Sequence, residues 1–268
     1  MRNKKFPLVS VIVNCYNGQK YLKDCLRSIV NQTYKNWELI FWDNFSTDQS
    51  KKVLNEFNDK RIKYFKSKKF LPLYKARNLA IQKAKGDYIS FLDTDDLWKK
   101  NKLFEQIKIL KKNKNIKIIY SNYIYNNQKK GTKILKFREK LPSGFITQKL
   151  LDNYKIGILT SLVQKKIFKD FKFNPSYEII GDFDFFIRVS RLYKIIAIQK
   201  PLAEYRVHDS NLSIKKIQVY CKEISEWIEK MSSDKNLKNN NFYFIKKYLI
   251  KLKIKNFVFK YLKINMGV

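Results

Sequence analysis

Residues 8–43 read LVSVIVNCYNGQKYLKDCLRSIVNQTYKNWELIFWD, and this stretch decides the fold. Its opening run, residues 8–15, is apolar and β-branched, as is typical of a strand buried in a parallel sheet. Asn17 and Gly18 predict a turn, and apolar residues then recur at helical spacing over residues 21–30. A second apolar run follows at residues 37–42. Strand, helix and strand in this order predict a βαβ unit with parallel strands.

The same alternation continues along the chain. It predicts a helix at 53–57 capped by Ser46 or Thr47, strands at 61–65 and 88–92, and a helix at 76–84. Beyond these come a helix at 102–111, a strand at 117–121, an exposed hairpin or loop at 126–140, a helix at 179–193, a strand at 195–203 and helical sequence from 213 onward. We therefore expect an α/β fold, with a mostly parallel central sheet flanked by helices and ligands bound beyond the carboxyl ends of its strands.

The composition allows a large core but is strongly basic. Of the 268 residues 44% are hydrophobic, whereas 57 Lys and Arg face 23 Asp and Glu, for a net charge of +34. Such a charge would attract nucleic acid, anionic lipid or phosphorylated substrates. Because the lysines are scattered rather than clustered, drift of surface positions towards lysine explains the excess equally well.

The cysteines and the N-terminal sequence indicate the cellular compartment of the protein. Cys15, Cys25 and Cys221 form no CxxC pair, which suits thiols in a reducing compartment. Residues 6–13 are too short for a signal peptide and are predicted to form a strand. No apolar run approaches the roughly 18 residues of a transmembrane helix. The sequence therefore predicts a cytoplasmic protein.

Three carboxylates follow the fourth predicted strand, at Asp93, Asp95 and Asp96. So many negative charges in four residues repel each other unless a cation lies close by. Mg²⁺ and Mn²⁺ prefer oxygen ligands, typically one or two carboxylates together with substrate phosphates. The alternative is that Asp96 caps the next helix while the other two are solvated.

Six segments in order make the chain resemble the family 2 glycosyltransferases, which use the nucleotide-diphospho-sugar-binding fold called GT-A. They are VSVIVNCYNGQKYLKDCLRSIVNQTY, ELIFWDNFSTD, ARN at 76–78, GDYISFLDTDDLW, IIGDFDFFIRV and AEYRVHDSNLS, within residues 7–213. The resemblance implies a metal-dependent, inverting transfer of a hexosyl or N-acetylhexosaminyl group from a nucleotide sugar. The acceptor would be a hydroxyl of a glycan or lipid-linked acceptor, in surface polysaccharide or glycoconjugate synthesis.

The resemblance also implies residue roles on the donor side. Asp93 and Asp95 match the family's DxD motif, with Asp93 at the ribose and Asp95 on the Mn²⁺ or Mg²⁺ that bridges the diphosphate. Arg77 would complement the pyrophosphate, the alternative being a surface ion pair. The other matches surround the nucleotide: Asp43 at the base, and Tyr16 and Asn17 at the base or ribose.

Proton transfer is assigned to Asp182, which matches the family's catalytic base. The family usually carries Glu before this Asp, whereas this chain has Gly181. Asp184 is the runner-up, and the alternatives for Asp182 are a helix N-cap or a solvated side chain. The only histidine, His208, lies in a segment that resembles one placed near the metal, so it is a candidate metal ligand.

The sequence defines the nucleobase of the sugar donor less well. Many family members carry two Asp residues followed by Gly where this chain has Asp43, Asn44 and Phe45. Asn44 cannot supply the second negative charge. Uridine is therefore an expectation from the family alone.

The resemblance divides the chain into a catalytic domain at 1–213 and a basic, aromatic helical extension at 214–268. Within the first, residues 7–120 would bind the nucleotide and 121–213 the acceptor. In the tail, one helical side would carry Phe242, Ile245, Leu249 and Leu252. This side could lie on an anionic membrane at the inner face of the plasma membrane, or pack on the catalytic domain.

Other functions remain as alternatives. A nucleotidyltransferase would need a Gly-rich phosphate loop after the first strand, and residues 14–18 contain one Gly. A nucleic-acid-binding or non-catalytic basic α/β protein would use the positive charge, but it leaves the Asp cluster unexplained. The sequence favours the glycosyltransferase and disfavours nucleic acid as a partner.

Overall fold

The computed structural model describes residues 6–113, 115–209 and 211–261 of the chain. The strands are β1 (Val9–Cys15), β2 (Trp37–Asp43), β3 (Ile62–Lys66), β4 (Tyr88–Phe91), β5 (Leu97–Trp98), β6 (Ile118–Asn127), β7 (Thr132–Leu135), β8 (Leu162–Gln164) and β9 (Ile195–Val207). The α-helices are α1 (Gln19–Val30), α2 (Ser50–Asn55), α3 (Leu73–Lys83), α4 (Lys102–Lys112), α5 (Thr147–Asp152), α6 (Ile167–Asp170), α7 (Gly181–Ser190), α8 (Leu212–Lys215), α9 (Ile217–Ser232) and α10 (Tyr243–Tyr261).

One sheet joins the strands in the order β3-β2-β1-β4-β8-β6-β9-β5, with β7 paired to β6. The first four strands of this order are parallel, as predicted. β8 then runs antiparallel to both of its neighbours, while β6 and β9 are parallel to each other. The predicted α/β class with helices on a central sheet is confirmed, and the sheet is mixed beyond β4.

The sheet separates two apolar layers, and the pleat decides which side chain enters which layer. In β1, Val9, Val11 and Val13 enter the layer covered by α1 and α4, whereas Ile12 enters the layer covered by α3 and α7. Because both faces are covered, the strand is apolar at almost every position. The exceptions are Ser10, which donates to Glu38 at 2.6 Å, and Asn14, which lies at the carboxyl end, where the sheet meets a cleft.

The predicted elements are present, but one strand is longer than predicted and one helix cap is wrong. The segment 126–140 contains the exposed β7, which forms a hairpin with β6. The strand predicted at 117–121 continues to Asn127, because β9 pairs along its length. The predicted cap of α2 is wrong: the helix begins at Ser50 without a side-chain cap from Ser46 or Thr47. Instead, Asp48 accepts a hydrogen bond from the Ser50 N–H at 3.0 Å.

All three cysteines are free and buried, as expected for thiols that behave as small apolar residues. Within the described ranges, no helix is long and apolar enough to cross a membrane.

The C-terminal helices close the core. α10 packs against α9 and α5, and the side formed by Ile245, Leu249 and Leu252 is buried in the same apolar layer as Trp227 of α9. The hypothesis that this side lies on a membrane is therefore wrong, because the protein's own core covers it. The boundary at residue 213 remains a prediction.

We expect Leu249→Ala to lower the free energy of unfolding by about 2–5 kcal/mol, because it opens a cavity under α10. Its neighbour Ile250 is 58% exposed and provides the matched control, for which we expect a change within about 0.5 kcal/mol. Urea unfolding followed by circular dichroism measures both. Equal effects of the two substitutions would show that α10 is not packed on the core.

Candidate active site

A cleft of about 870 Å³ opens at the carboxyl ends of the parallel strands. Of the predicted site residues, five line it: Tyr16, Arg77, Asp93, Asp95 and Asp182. The cleft also reaches the loop before β8 and the helices α9 and α10. The loops that follow β1, β2 and β4 therefore meet as expected, because these strands are parallel neighbours.

Asp93 and Arg77 form a close ion pair in the cleft. The Arg77 Nη2 donates to Asp93 Oδ1 at 2.6 Å, and the arginine side chain is only 3% exposed. Burial disfavours the guanidinium charge and is the largest single effect, but Asp93, Tyr74 and Asp182 together outweigh it and raise the pKa of Arg77. The alternative of a surface ion pair is thus wrong, because the cation is buried. A fixed positive charge at this position suits a diphosphate.

Asp95 meets His208 across the cleft edge, although 113 residues separate them. The His208 Nε2 lies 3.1 Å from Asp95 Oδ2, and the Asn211 Nδ2 lies 3.4 Å from the same oxygen. The imidazole stacks on Tyr21 of α1, with ring centroids 4.8 Å apart. This packing fixes the ring and directs one nitrogen at the carboxylate.

Asp96 has a different role from the one expected. α4 begins at Lys102 after Asn101, so Asp96 does not cap this helix and the cap hypothesis is wrong. The side chain is buried, and Oδ1 accepts a hydrogen bond from the Arg206 N–H at 2.9 Å. Burial, followed by the charges of Asp95 and Asp93, raises its pKa well above the ordinary value. Asp96 therefore holds the acidic loop against β9.

Asp43 and Asn17 organise the loop after β2. Asp43 Oδ1 accepts the Ser46 N–H at 2.7 Å, and Oδ2 accepts the Tyr64 hydroxyl at 2.8 Å. The Asn17 Oδ1 accepts the Thr47 N–H at 2.9 Å. Both side chains shape the rim of the cleft, and their predicted contacts with the nucleotide remain predictions.

The Asn44 side chain is also held by hydrogen bonds within the protein. Its side-chain amide donates to the Leu71 carbonyl at 2.8 Å, and its oxygen accepts the Leu71 N–H at 3.2 Å. This two-point contact ties β2 to the segment before α3. Asn44 thus has a structural task where many family members carry a second acid.

The sequence analysis missed Asn14. This residue lines the cleft, and within the described chain neither its Oδ1 nor its Nδ2 has a hydrogen-bond partner, although both atoms are buried. A buried amide without partners is unfavourable in the free protein and suggests that a ligand supplies them. An Asn near the carboxyl end of a mostly apolar strand was the available signal.

Asp182 and Asp184 lie in the first turn of α7 but in different surroundings. Asp182 lines the cleft, and its Oδ1 lies 3.2 Å from the Tyr74 hydroxyl, which shares its proton between Asp182 and the Ile179 carbonyl at 2.8 Å. Asp184 is buried away from the cleft, where Arg188 Nε at 2.9 Å and Trp227 Nε1 at 3.1 Å donate to it. The N-cap position is Ile180, so Asp182 is not the helix cap.

The environment of Asp182 favours a proton acceptor. Burial raises the pKa of this carboxyl, while Arg77 and the hydrogen bond from Tyr74 offset part of the increase. The Tyr74 ring occupies the space beside Gly181, where an added Cβ would lie only 2.5 Å from its Cδ2. Gly181 therefore leaves room for the tyrosine that holds Asp182, in a chain that lacks the family's preceding Glu.

Comparison with known proteins identifies the class. Residues 10–170 match the model of glycosyl transferase family 2, which is more than half of the chain. The chain therefore belongs to this family. It is a glycosyltransferase, as predicted.

Among its relatives is the Escherichia coli UDP-Glc:α-D-GlcNAc-diphosphoundecaprenol β-1,3-glucosyltransferase WfgD, 34% identical over 79% of this chain and 81% of the relative. S. aureus TarS in complex with UDP-GlcNAc superposes with a TM-score of 0.70 at 17% identity, over 94% of this chain and 73% of TarS. The Pyrobaculum calidifontis mannosyltransferase PcManGT, in complex with GDP-Man and Mn²⁺, superposes with a TM-score of 0.65 at 15% identity, over 92% of this chain and 70% of PcManGT. These similarities confirm the GT-A fold.

The two acids of α7 should respond oppositely to amide replacement. Because folding raises the pKa of Asp182, its ionisation opposes folding as pH rises through the unfolded-state value of about 3.9. We expect Asp182→Asn to raise the free energy of unfolding at pH 7 and to have no effect below that value. Asp184→Asn, the matched control, should lower it by about 1–3 kcal/mol through lost charge-assisted hydrogen bonds. Urea unfolding at several pH values measures both. A stability loss in Asp182→Asn as large as that in Asp184→Asn would contradict this assignment.

Proposed function

We propose that this glycosyltransferase is metal-dependent and inverting, and that it transfers a hexosyl or N-acetylhexosaminyl group from a nucleoside-diphosphate donor to a hydroxyl of a lipid-linked glycan acceptor. The observation that carries the proposal is a continuous set of contacts in one cleft. Asp182 contacts Tyr74, the Tyr74 ring lies 5.3 Å from the Arg77 guanidinium, and Arg77 pairs with Asp93. A candidate base and a candidate diphosphate site are thereby held in one rigid frame.

The residues present fit a divalent cation that is shared with the donor. Asp95 Oδ2 and His208 Nε2 are 3.1 Å apart, so one carboxylate oxygen and one imidazole nitrogen could both bind the same cation; the nitrogen favours Mn²⁺ over Mg²⁺, which prefers oxygen ligands. Among the described residues, no group of three His, Cys, Asp or Glu side chains could hold a metal alone. Diphosphate oxygens would therefore complete the coordination. When bound, Mn²⁺ or Mg²⁺ would neutralise the charge that develops on the departing nucleoside diphosphate.

Asp182 acts as the general base in this proposal. Its carboxylate takes the proton of an acceptor hydroxyl as that oxygen attacks the anomeric carbon. The new C–O bond forms on the face opposite the leaving group, so the configuration inverts. The bond to the diphosphate breaks, and its electron pair leaves with the nucleoside diphosphate. Arg77 and Asp93 orient the donor for this attack.

The nucleotide would lie at the β1 and β2 end of the cleft. Tyr16 is 53% exposed there and can stack on a base, and the unpaired amide of Asn14 offers two N–H donors and an acceptor oxygen. Uridine matches the UDP-Glc in the name of the E. coli relative. Its lipid-diphosphate acceptor likewise supports a role in the synthesis of a surface polysaccharide or glycoconjugate.

A membrane surface is the further partner in this proposal, through a different side of α10 from the one first expected. Tyr243, Ile250 and Ile254 are 57–59% exposed, and at 100° per residue they form one outward stripe. Lysines flank the stripe on both sides, and α10 contains no acid: the flanking residues are Lys246, Lys247, Lys251 and Lys253. Such a stripe suits the inner, anionic face of the plasma membrane. Phe244 and Tyr248 of the same helix line the cleft, so attachment would bring the cleft close to a lipid-linked acceptor.

The donor and metal assignments are tested together by thermal shift with a panel of nucleotide sugars, with and without Mn²⁺. We expect one nucleotide sugar to raise the melting temperature in a Mn²⁺-dependent manner, because a ligand that binds only the folded state stabilises it. Asp95→Asn should abolish the Mn²⁺-dependent part of the rise in melting temperature, and it should abolish the transfer activity. Asp170→Asn, at an exposed position outside the cleft lining, is the control that should keep both the Mn²⁺ response and the activity. A full Mn²⁺ response in Asp95→Asn would refute the metal assignment.

Membrane attachment is tested by sedimentation with vesicles of anionic phosphatidylglycerol or neutral phosphatidylcholine. The double variant Ile250→Glu/Ile254→Glu should bind anionic vesicles about tenfold less tightly, because two apolar contacts are lost and two negative charges are added. Leu192→Glu, at a 57% exposed apolar residue outside α10, controls for the added charge and should bind nearly as wild type. Unchanged binding of the double variant would show that the stripe does not attach the protein to the membrane.

A further inference from the structure

Beyond the donor residues, the cleft is lined by tyrosines from three parts of the chain: Tyr154 after α5, Tyr220 of α9 and Tyr248 of α10. We call these three residues the aromatic wall. The Tyr220 and Tyr248 hydroxyls lie 3.1 Å apart, so these two side chains satisfy each other. The Tyr154 ring packs edge-to-face on Phe183, the residue after Asp182, at 5.1 Å between centroids. The wall therefore begins next to the candidate base.

Tyr154 differs from its neighbours in its hydroxyl. The Oη atom is buried, and the described chain offers it no hydrogen-bond partner. Leaving a buried hydroxyl unpaired costs about 1–3 kcal/mol. Two other buried tyrosines are paired: the Tyr74 hydroxyl donates to the Ile179 carbonyl and the Tyr120 hydroxyl to the Pro142 carbonyl, each at 2.8 Å. An unpaired hydroxyl within the cleft lining indicates that the missing partner is a ligand.

The surroundings define the chemistry of that ligand. Tyrosine rings pack against the apolar C–H face of a pyranose and their hydroxyls bond to its hydroxyls. Next to the wall, Ile224, Ile245 and Leu252 give this part of the cleft an apolar lining. Lys136 and Lys255 line the cleft as well and would attract a phosphate, whereas Lys155 is paired with Glu139 at 2.7 Å.

We propose that the aromatic wall is the acceptor subsite and that the Tyr154 hydroxyl bonds to a hydroxyl of the acceptor sugar. The acceptor class is a pyranoside with an apolar aglycone, joined directly or through a diphosphate. Tyr154 binds and orients the sugar so that the attacking hydroxyl faces Asp182. The assignment rests on the proposed function, because it takes Asp182 as the base.

The test compares Tyr154→Phe with wild type, using the nucleotide sugar that gives the largest thermal shift as donor. The probes are alkyl glycosides of glucose and of N-acetylglucosamine, with and without a diphosphate link, and the readout is transfer to each probe. Losing one hydrogen bond should raise the acceptor KM about tenfold, with the thermal shift by the donor unchanged. Because the substitution removes an unpaired group, the melting temperature should stay the same or rise. Tyr120→Phe, outside the cleft lining, is the control: it should lower the melting temperature and leave the acceptor KM unchanged.

The outcomes separate this inference from the proposed function. If no nucleotide sugar stabilises the wild-type protein, the proposed function fails. If a donor binds but no probe is glycosylated, or if Tyr154→Phe keeps the wild-type acceptor KM, the acceptor assignment is overturned while the donor site stands. A melting temperature in Tyr154→Phe as low as in Tyr120→Phe would show that the hydroxyl is paired in the free protein, and would overturn the assignment too.

Discussion

Much of the site depends on one electrostatic constraint, the crowding of acids at the end of β4. Three carboxylates within four residues can remain together only if each is compensated separately. Arg77 pairs with Asp93, His208 and Asn211 approach Asp95, and the Arg206 N–H bonds to Asp96. These partners come from α3 and from the end of β9 and the turn after it, so the acidic loop positions distant parts of the chain. The compensation of Asp95, by the His208 and Asn211 side chains, is the one that a metal and a diphosphate would replace in the proposed function.

A second constraint links Gly181 to Tyr74. The absence of a side chain at Gly181 lets the Tyr74 ring pack against α7, and the ring in turn brings its hydroxyl to Asp182. The departure from the family's Glu-Asp pair is therefore accompanied by a tyrosine that holds the retained Asp. Arg77 lies beside the same ring. The geometry of the candidate base and that of the diphosphate site are consequently not independent.

The fold was largely predictable because its signals are local. Apolar runs and helical spacing define β1 to β4 and their helices, and the parallel order follows from their alternation. Contacts between distant residues were not predictable in the same way. Only the family resemblance suggested that His208 lies near Asp95, and Asp96 looked like a helix cap because nothing local reveals its bond to the Arg206 N–H. For α10 the sequence identified the side formed by Ile245, Leu249 and Leu252, but it could not show whether the core or a membrane would cover that side, since apolar residues occur around the whole helix.

Buried polar groups without a hydrogen-bond partner indicate where a ligand binds, which paired groups do not. Asn14 and Tyr154 belong to different parts of the cleft lining, one at the end of β1 and the other in the loop after α5, and each has buried polar atoms without a partner in the described chain. A core selected for stability alone would have replaced them with apolar residues, since unpaired buried groups are costly. Their retention is explained if a donor satisfies one and an acceptor the other. The cleft is then a two-substrate site whose hydrogen bonding is complete only when both sugars are bound, with Asp182 and Arg77 between them.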